Sequence, residues 1–304
     1  MLSIHLIYPE YINDYIEMGV DVFLIPGTMS TYTNTQLELD DITALKRDHP
    51  DKQFFVMVNG LYEQHVLDEL KAYLKDLVNT GADGIVFQDF GVLYEVRKHH
   101  YPFKMLYESK TLNTNHETLN VLSSYGIDSA MVSREIPLEE QIAINSQTRI
   151  PLMIQVHGVS YMGSSKRHLL THYGEAAGKQ LTSDTYEITA DGSQYPCYIY
   201  EDQWGTTIFS KSRIYMLDLL PQLADFAYLY IETMFMDAHE SLEVTSIYAD
   251  CLKAVKDGRY NRSLKEYLAL LKKVSSPLEK GFIDDKTIYH LEDVKRRDAG
   301  ESYD

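Results

Sequence analysis

Polar residues gather at the ends of short apolar runs in this chain. Asp89 follows GIVFQ, Glu108 and Lys110 follow KMLY, and Ser133-Arg134-Glu135 follow AMV. Gln155 and His157 are spaced two apart in MIQVH, and Glu232 closes YLYI. Carboxylates, a guanidinium and an imidazole collected on one rim are the equipment for holding a small charged ligand. The arginine fork pairs a carboxylate or phosphate, and a neutral imidazole can donate or accept a hydrogen bond. Each residue also has a plainer use as a strand-end cap or ion-pair partner; Arg134 could simply neutralise Glu135. His157 is the strongest single candidate because Gly158 beside it allows close backbone approach. A core histidine bonded to a backbone carbonyl is the alternative at that position.

Just beyond lies VSYMGSSKRHLLTHYG. His168 and His172 have the i,i+4 spacing of one helix face, but no HExxH motif or cysteine cluster accompanies them, so no metal site is predicted. Lys166, Arg167 and His168 make a basic patch suited to contacting a phosphate or RNA. Ser164-Ser165 lacks the Gly-x-Ser-x-Gly context of a nucleophile elbow, and neither cysteine, Cys197 or Cys251, has a placed histidine partner. No dinucleotide fingerprint or phosphate loop is present.

The elements that must position these residues alternate between apolar runs and amphipathic segments. Candidate strands are Ile4–Tyr8, Val22–Pro26, Gln53–Asn59, Gly84–Gln88, Lys104–Glu108, Ser129–Ser133, Leu152–His157 and Ala227–Thr233. From Tyr62 to Asn79, the residues Val66, Leu70, Tyr73, Leu74 and Leu77 recur at helical spacing. MGVD, TGAD and YGID each place a glycine for a helix end and an aspartate at the next strand entry. The pattern predicts a TIM-like (β/α)8 barrel, with a doubly wound open sheet as the competing topology. Residues 1–158 and 212–292 are assigned to the barrel. Residues 159–211 are assigned to an α+β insertion between the seventh and eighth strands: a helix-like stretch, then Tyr186–Thr189 and Cys197–Ser210. Helices are expected over Leu242–Lys256 and Ser263–Val274, and residues 293–304 are expected to be disordered.

A chain of 304 residues with net charge −17 repels phosphate backbones at long range, which disfavours a free-standing RNA binder without excluding a place in an RNA-processing complex. No run approaches the roughly 18 apolar residues of a membrane span, and the N-terminal MLSIHLIYPEY reads as a first strand. Only two cysteines, far apart, fit a cytoplasmic setting.

In this order, MGVDVFLIPG, TGADGIVFQDFGVL, LYESKTLNTNHETLN, YGIDSAMVSREIPLEE, IQVHG, YIYEDQWGTTIFSKSRIYMLDLLPQL and KGFIDDKTIY resemble the collagenase-like peptidase family U32 over most of the chain. The resemblance implies likeness to the tRNA hydroxylation proteins, which help place a 5-hydroxyl on the wobble uridine and are linked to prephenate. It carries over Asp89, Asn115, Ser133, Arg134, Glu135, His157 and Glu232. Cluster-bearing relatives have cysteines where this chain has Tyr161, His168 and Tyr215, so no iron–sulfur cluster and no other cofactor is expected. The glutamate usual before the VHG core is Met153 here. The expected role is an auxiliary or partner factor in tRNA wobble-uridine hydroxylation, binding a small anionic, prephenate-like ligand or a nucleobase at the rim. The implied partner is a longer, cysteine-bearing family member, with tRNA reached through that complex and no membrane involved. A collagenase-like peptidase and a non-catalytic subunit are the alternatives.

Overall fold

A computed structural model gives the architecture and describes residues 1–190 and 195–284. Seven strands run in order, each parallel to the next: β1 (Leu2–His5), β2 (Val20–Pro26), β3 (Gln53–Val58), β4 (Gly84–Phe87), β5 (Lys104–Tyr107), β6 (Ser129–Met131) and the start of β7 (Leu152–Ser165). Helices α1 (Ile12–Met18), α2 (Leu39–Asp48), α3 (Leu67–Leu77), α4 (Phe90–Lys98), α5 (His116–Ser124) and α6 (Leu138–Gln147) fill the crossovers. After α7 (Leu169–Ala177), β8 (Thr185–Ile188), β9 (Cys197–Asp202) and β10 (Gly205–Tyr215) comes β11 (Tyr228–Ile231), which pairs in parallel with both β7 and β1. That double pairing closes an eight-stranded barrel and removes the open-sheet alternative. The chain continues through α8 (Ala238–Lys256), α9 (Tyr260–Val274) and a short β12 (Leu278–Glu279).

Alternation along each strand divides the core in two. Outward residues such as Phe23, Val56 and Ile85 pack under the helices, while Val22, Phe55, Val86, Leu106, Met131 and Met153 fill the barrel interior. Both faces of a parallel sheet are buried, which is why the strands read as nearly continuous apolar runs. Helix α3 shows the complementary pattern, burying Leu70, Leu74 and Leu77 along one face. It starts later than the periodicity suggested because the Tyr62 amide bonds Asp89 and its hydroxyl bonds the Met29 carbonyl, which keeps that turn non-helical.

The repeated glycine–aspartate signature works at the N-terminal face of the barrel. Gly19, Gly81 and Gly126 all take positive φ, ending the preceding segment. Asp83 then accepts the Phe54 amide and the Lys46 ammonium, and Asp128 accepts the Met105 amide and the Arg97 guanidinium. Each aspartate thus ties its own strand entry to the neighbouring strand and an outer helix.

The stretch expected to open a helix after Gly158 is strand instead. Strand β7 continues to Ser165, pairing antiparallel with β10, which pairs with β9, and β9 with β8. A boundary at 158/159 therefore cuts a continuous strand. This antiparallel layer arches over the C-terminal mouth of the barrel, and its tip is fastened on the far side. There the Trp204 indole donates to the Ser30 carbonyl at 2.9 Å and packs edge-on against Tyr62, while Asp202 accepts the Thr31 hydroxyl at 2.7 Å. The first strand begins two residues earlier than expected, and α8 and α9 begin four and three residues earlier than expected. Residues 191–194, 285–292 and the expected tail 293–304 lie outside the described residues.

Candidate functional site

One position beyond the apolar interior, the inward alternation turns polar. His5, Asn59, Glu108, Ser133 and Gln155 are all buried at the C-terminal ends of their strands, and Glu232 completes the layer after β11. Charges placed this deep persist only when paired, and two networks provide the pairing. In the first, Glu232 receives the His5 imidazole at 2.7 Å, the Tyr230 hydroxyl at 2.9 Å and the Met234 amide at 2.9 Å. Burial works to raise the Glu232 carboxyl, but the attraction of His5 and these hydrogen bonds outweigh it and hold the group down at about 2.

In the second network, the Lys110 ammonium lies 2.6 Å from Glu108 Oε1, and the Arg134 guanidinium lies 3.7 Å from the same oxygen. Burial lowers the Lys110 amine, against the pull of Glu108 and with help from Arg134. The ammonium sits 4.3 Å from the centre of the Tyr32 ring, which with Tyr161 and Phe209 roofs the mouth. Tyr32, Lys110 and Phe235 all have φ near +60°. Such backbone is costly for side-chain-bearing residues and is held only where the surroundings enforce it.

Arg134 has a second aspect. Its side chain is 11% exposed, and it lies 3.7 Å from Glu108 and 3.7 Å from the Met131 sulfur. No oxygen among the described residues accepts a hydrogen bond from its five donors. It lines a cleft of about 540 Å³, shared with Ser160, Met162, Met216, Lys280 and Phe282. Inside the mouth, His5 Nε2, Asn59 Nδ2 and Gln155 Oε1 are buried polar atoms without a hydrogen-bond partner among the described residues. Such atoms are costly unless a ligand or water completes them.

Several residues expected at the rim serve other ends. Asp89 caps α4 through the Gly91 amide and also takes the Tyr62 amide, and Asn115 is an exposed cap of α5 through the Thr118 amide. Ser133 accepts the Glu135 amide and donates to the Thr111 carbonyl. Gln155 spends its amide nitrogen on the carbonyls of His157 and Val159. Lys166 donates to the Leu61 carbonyl and lies over Trp204, Arg167 is exposed, and His168 stands 3.9 Å from Glu201 at the start of α7. Of the three, Lys166 fastens the arch to the mouth's outer edge, and His168 faces Glu201 within the arch itself. His5, Asn59 and Tyr230 were not anticipated. The available signal was Ser3 and His5 taking the two inward positions of an otherwise apolar first strand.

His157 is the largest displacement. Tyr230 pairs with Gln155 and Ile231 with His157, so Val156 is an extra residue on β7. The bulge puts His157 in register with outward-facing Ile231, and its ring leaves the mouth. It lies against Tyr248 and within 3.2 Å of Ser275 Oγ, fully buried. Burial, and then Arg213, lower its pKa to about 3, so the ring is neutral. Ser275 and Glu240 beside it look like a hydrolytic trio but are wired in another direction. The serine hydroxyl donates to Glu240 at 2.7 Å, so the imidazole is left to donate to the serine. A serine whose proton is committed to a carboxylate, on a residue with no exposed surface, does not serve as a nucleophile.

Nor do the thiols fit a nucleophile or a thiolate-held cluster. Burial pushes Cys251 up to about 12, and burial and then Glu279 raise Cys197. Tyr161 belongs to the aromatic roof and bonds Ser164, and Tyr215 lies under Lys280. Among the described residues no group of histidine, cysteine and acidic side chains is arranged to hold a metal ion, and no helix is long and apolar enough to cross a membrane.

Comparison with known proteins gives this arrangement its context. The chain is 26% identical over 267 residues to tRNA hydroxylation protein P2 of Bacillus subtilis (strain 168), covering 82% of this chain and 86% of that one. It is 31% identical over 144 residues to tRNA hydroxylation protein P of Escherichia coli (strain K12), covering 47% of this chain and 30% of that longer protein. The homologue from Haemophilus influenzae is 29% identical over 147 residues, with the same coverage. Residues 28–292 match the model of Peptidase family U32, and the chain belongs to that family.

Proposed function

We propose that the protein takes part in tRNA wobble-uridine hydroxylation, holding a small carboxylate-bearing ligand at the barrel rim, in the cleft beside Arg134, as the partner of a longer, cysteine-bearing family member. One observation carries the ligand half of this reading: the Arg134 guanidinium is nearly buried, faces a cleft of about 540 Å³, and gives no hydrogen bond to oxygen among the described residues. A bidentate carboxylate would satisfy that fork. Met162, Met216 and Phe282 offer the apolar walls that a prephenate-like ring would need. The homology to tRNA hydroxylation proteins supports the process. The net charge of −17 favours reaching tRNA through a complex rather than alone.

The test is tRNA nucleoside mass spectrometry on cells with and without the gene, complemented by wild type or by Arg134→Gln. Loss of 5-hydroxyuridine-derived nucleosides on deletion, restored by wild type but not by the variant, is expected. Unchanged hydroxylation after deletion would overturn the process. Full rescue by the variant would overturn the role of Arg134. The partner is tested separately, by whether the tagged protein co-purifies a longer family member.

A further inference from the structure

We infer that the cleft beside Arg134 takes a zwitterion: an amino acid whose carboxylate meets Arg134 and whose ammonium meets Glu279. The inference rests on the reading of Arg134 as a carboxylate anchor and deepens it by naming the ligand class.

Arg134 and Glu279 line the same cleft of about 540 Å³, and neither is spent on the other. The carboxylate beside Arg134 is Glu108, at 3.7 Å. Glu279 is half-buried on β12, and no cation among the described residues pairs with it. Burial raises its carboxyl, with only the Ser212 side chain working the other way. The charge is felt along the cleft wall. Cys197, which lines the same space, has its thiol raised by burial and then by Glu279. Met162, Ile214, Met216 and Phe282 make the rest of the lining largely apolar. Two opposite charges left open in one apolar-walled cleft ask for a ligand that carries both signs.

Local structure holds Glu279 in this position. Strand β12 runs parallel to β10 with Glu279 opposite Ile214, itself a lining residue. Lys280 would be the obvious neutralising neighbour, but it lies over the Tyr215 ring at 3.9 Å and gives its ammonium to Asp218. Gly281 then takes φ +58°, and the Ile283 carbonyl accepts the Leu138 amide at the start of α6, just beyond Arg134. One short strap thus joins the wall that carries Glu279 to the element that follows Arg134. A plain carboxylate entering here would satisfy the guanidinium but bring a second negative charge toward Glu279. An ammonium on the same molecule removes that repulsion, and the ligand then brings no net charge into the cleft. Binding needs no covalent step.

The experiment measures binding to the full-length protein by thermal shift and calorimetry, with acids matched in shape. L-Phenylalanine is compared with phenyllactate, and 4-(aminomethyl)benzoate with 4-(hydroxymethyl)benzoate. Each pair sets an ammonium against a hydroxyl, and the second pair holds its two polar groups farther apart. In at least one pair the ammonium-bearing acid is expected to bind about tenfold more tightly, as a charge-assisted hydrogen bond requires. In Glu279→Gln, which keeps the shape and removes the charge, that preference should fall to about twofold or less. The Tm of the variant without ligand checks its fold, and the wild-type pairs decide the ligand class without it. If the hydroxy acids bind as tightly as the amino acids in both pairs, the zwitterion is overturned and the carboxylate site stands. If none of the four acids raises Tm or gives heat, the carboxylate reading fails as well. A preference that survives in full in Glu279→Gln overturns the assignment of Glu279.

Discussion

His157 and Glu232 are backbone partners that face opposite ways. The Glu232 amide donates to the His157 carbonyl at 3.0 Å, yet the carboxylate meets His5 inside the mouth while the imidazole meets Ser275 behind the sheet. Position at a strand end therefore does not make a residue part of the site; the side of the sheet decides.

His157→Ala should then act on stability alone. Removing a fully buried ring packed on Tyr248 leaves a cavity and takes away the donor to Ser275, at a cost of roughly 2–4 kcal/mol. Urea unfolding should show that loss, while carboxylate affinity in the surviving folded protein stays unchanged. A large loss of affinity at full stability would return His157 to the site.

Acid should destabilise the protein in two stages. The neutral His157, with its folded pKa near 3 against about 6.5 unfolded, favours the unfolded state as pH falls below about 6.5, with the penalty complete near 3. Glu232 is depressed to about 2 from an ordinary 4.5, so its stabilisation is present above 4.5 and is lost as pH falls toward 2. In a pH series of Tm, His157→Gln should flatten the slope between about pH 6 and 4.5, leaving the steeper loss below 4.5. An unaltered upper slope would contradict the buried neutral imidazole.

Gly158→Ala should be among the most damaging single-methyl additions. The backbone there has φ +111°, and a Cβ would lie 2.2 Å from the Glu232 carbonyl oxygen. Strain and overlap together should cost upwards of about 2 kcal/mol, read by denaturant unfolding. A variant as stable as wild type would mean that β7 and β11 are free to separate at this point.

Arg134→Met should leave the fold near wild type, because the guanidinium forms no hydrogen bond to oxygen among the described residues and its nearest carboxylate is 3.7 Å away. Carboxylate binding should weaken by about 10- to 100-fold, in line with the loss of a charge-assisted pair. The single tryptophan, Trp204, is a built-in reporter on the arch, and its fluorescence offers the titration signal. Equal affinities in the two proteins would remove Arg134 from the ligand contacts.

Much of the barrel is legible in the chain because parallel strands and amphipathic helices leave strong periodic signatures. The glycine–aspartate joints at 19–21, 81–83 and 126–128 mark three strand entries directly. What escapes is anything decided by one residue of register. Alternation through MIQVH sends Gln155 and His157 the same way, and only the unpaired Val156 separates them. Whether an acceptor is spent on a cap is likewise a tertiary fact: Asp89 and Asn115 look like ligand residues until the amides of Gly91 and Thr118 are seen to take them. Glu108, Arg134 and Glu232 were legible as a polar rim, whereas His5 was hidden in a strand whose function seemed only structural.

The placement of β11 also governs how the molecule is made. During synthesis seven strands emerge before their closing member, and the whole arch must be translated before Tyr228–Ile231 can slot between β1 and β7. Until then the nascent chain presents two unsatisfied sheet edges, the state in which a β-rich chain is most prone to pair with a stranger. Closure joins the first residues of the chain to some of its later ones. The mouth, whose Glu232 follows that closing strand, is therefore assembled only after β11 has been translated.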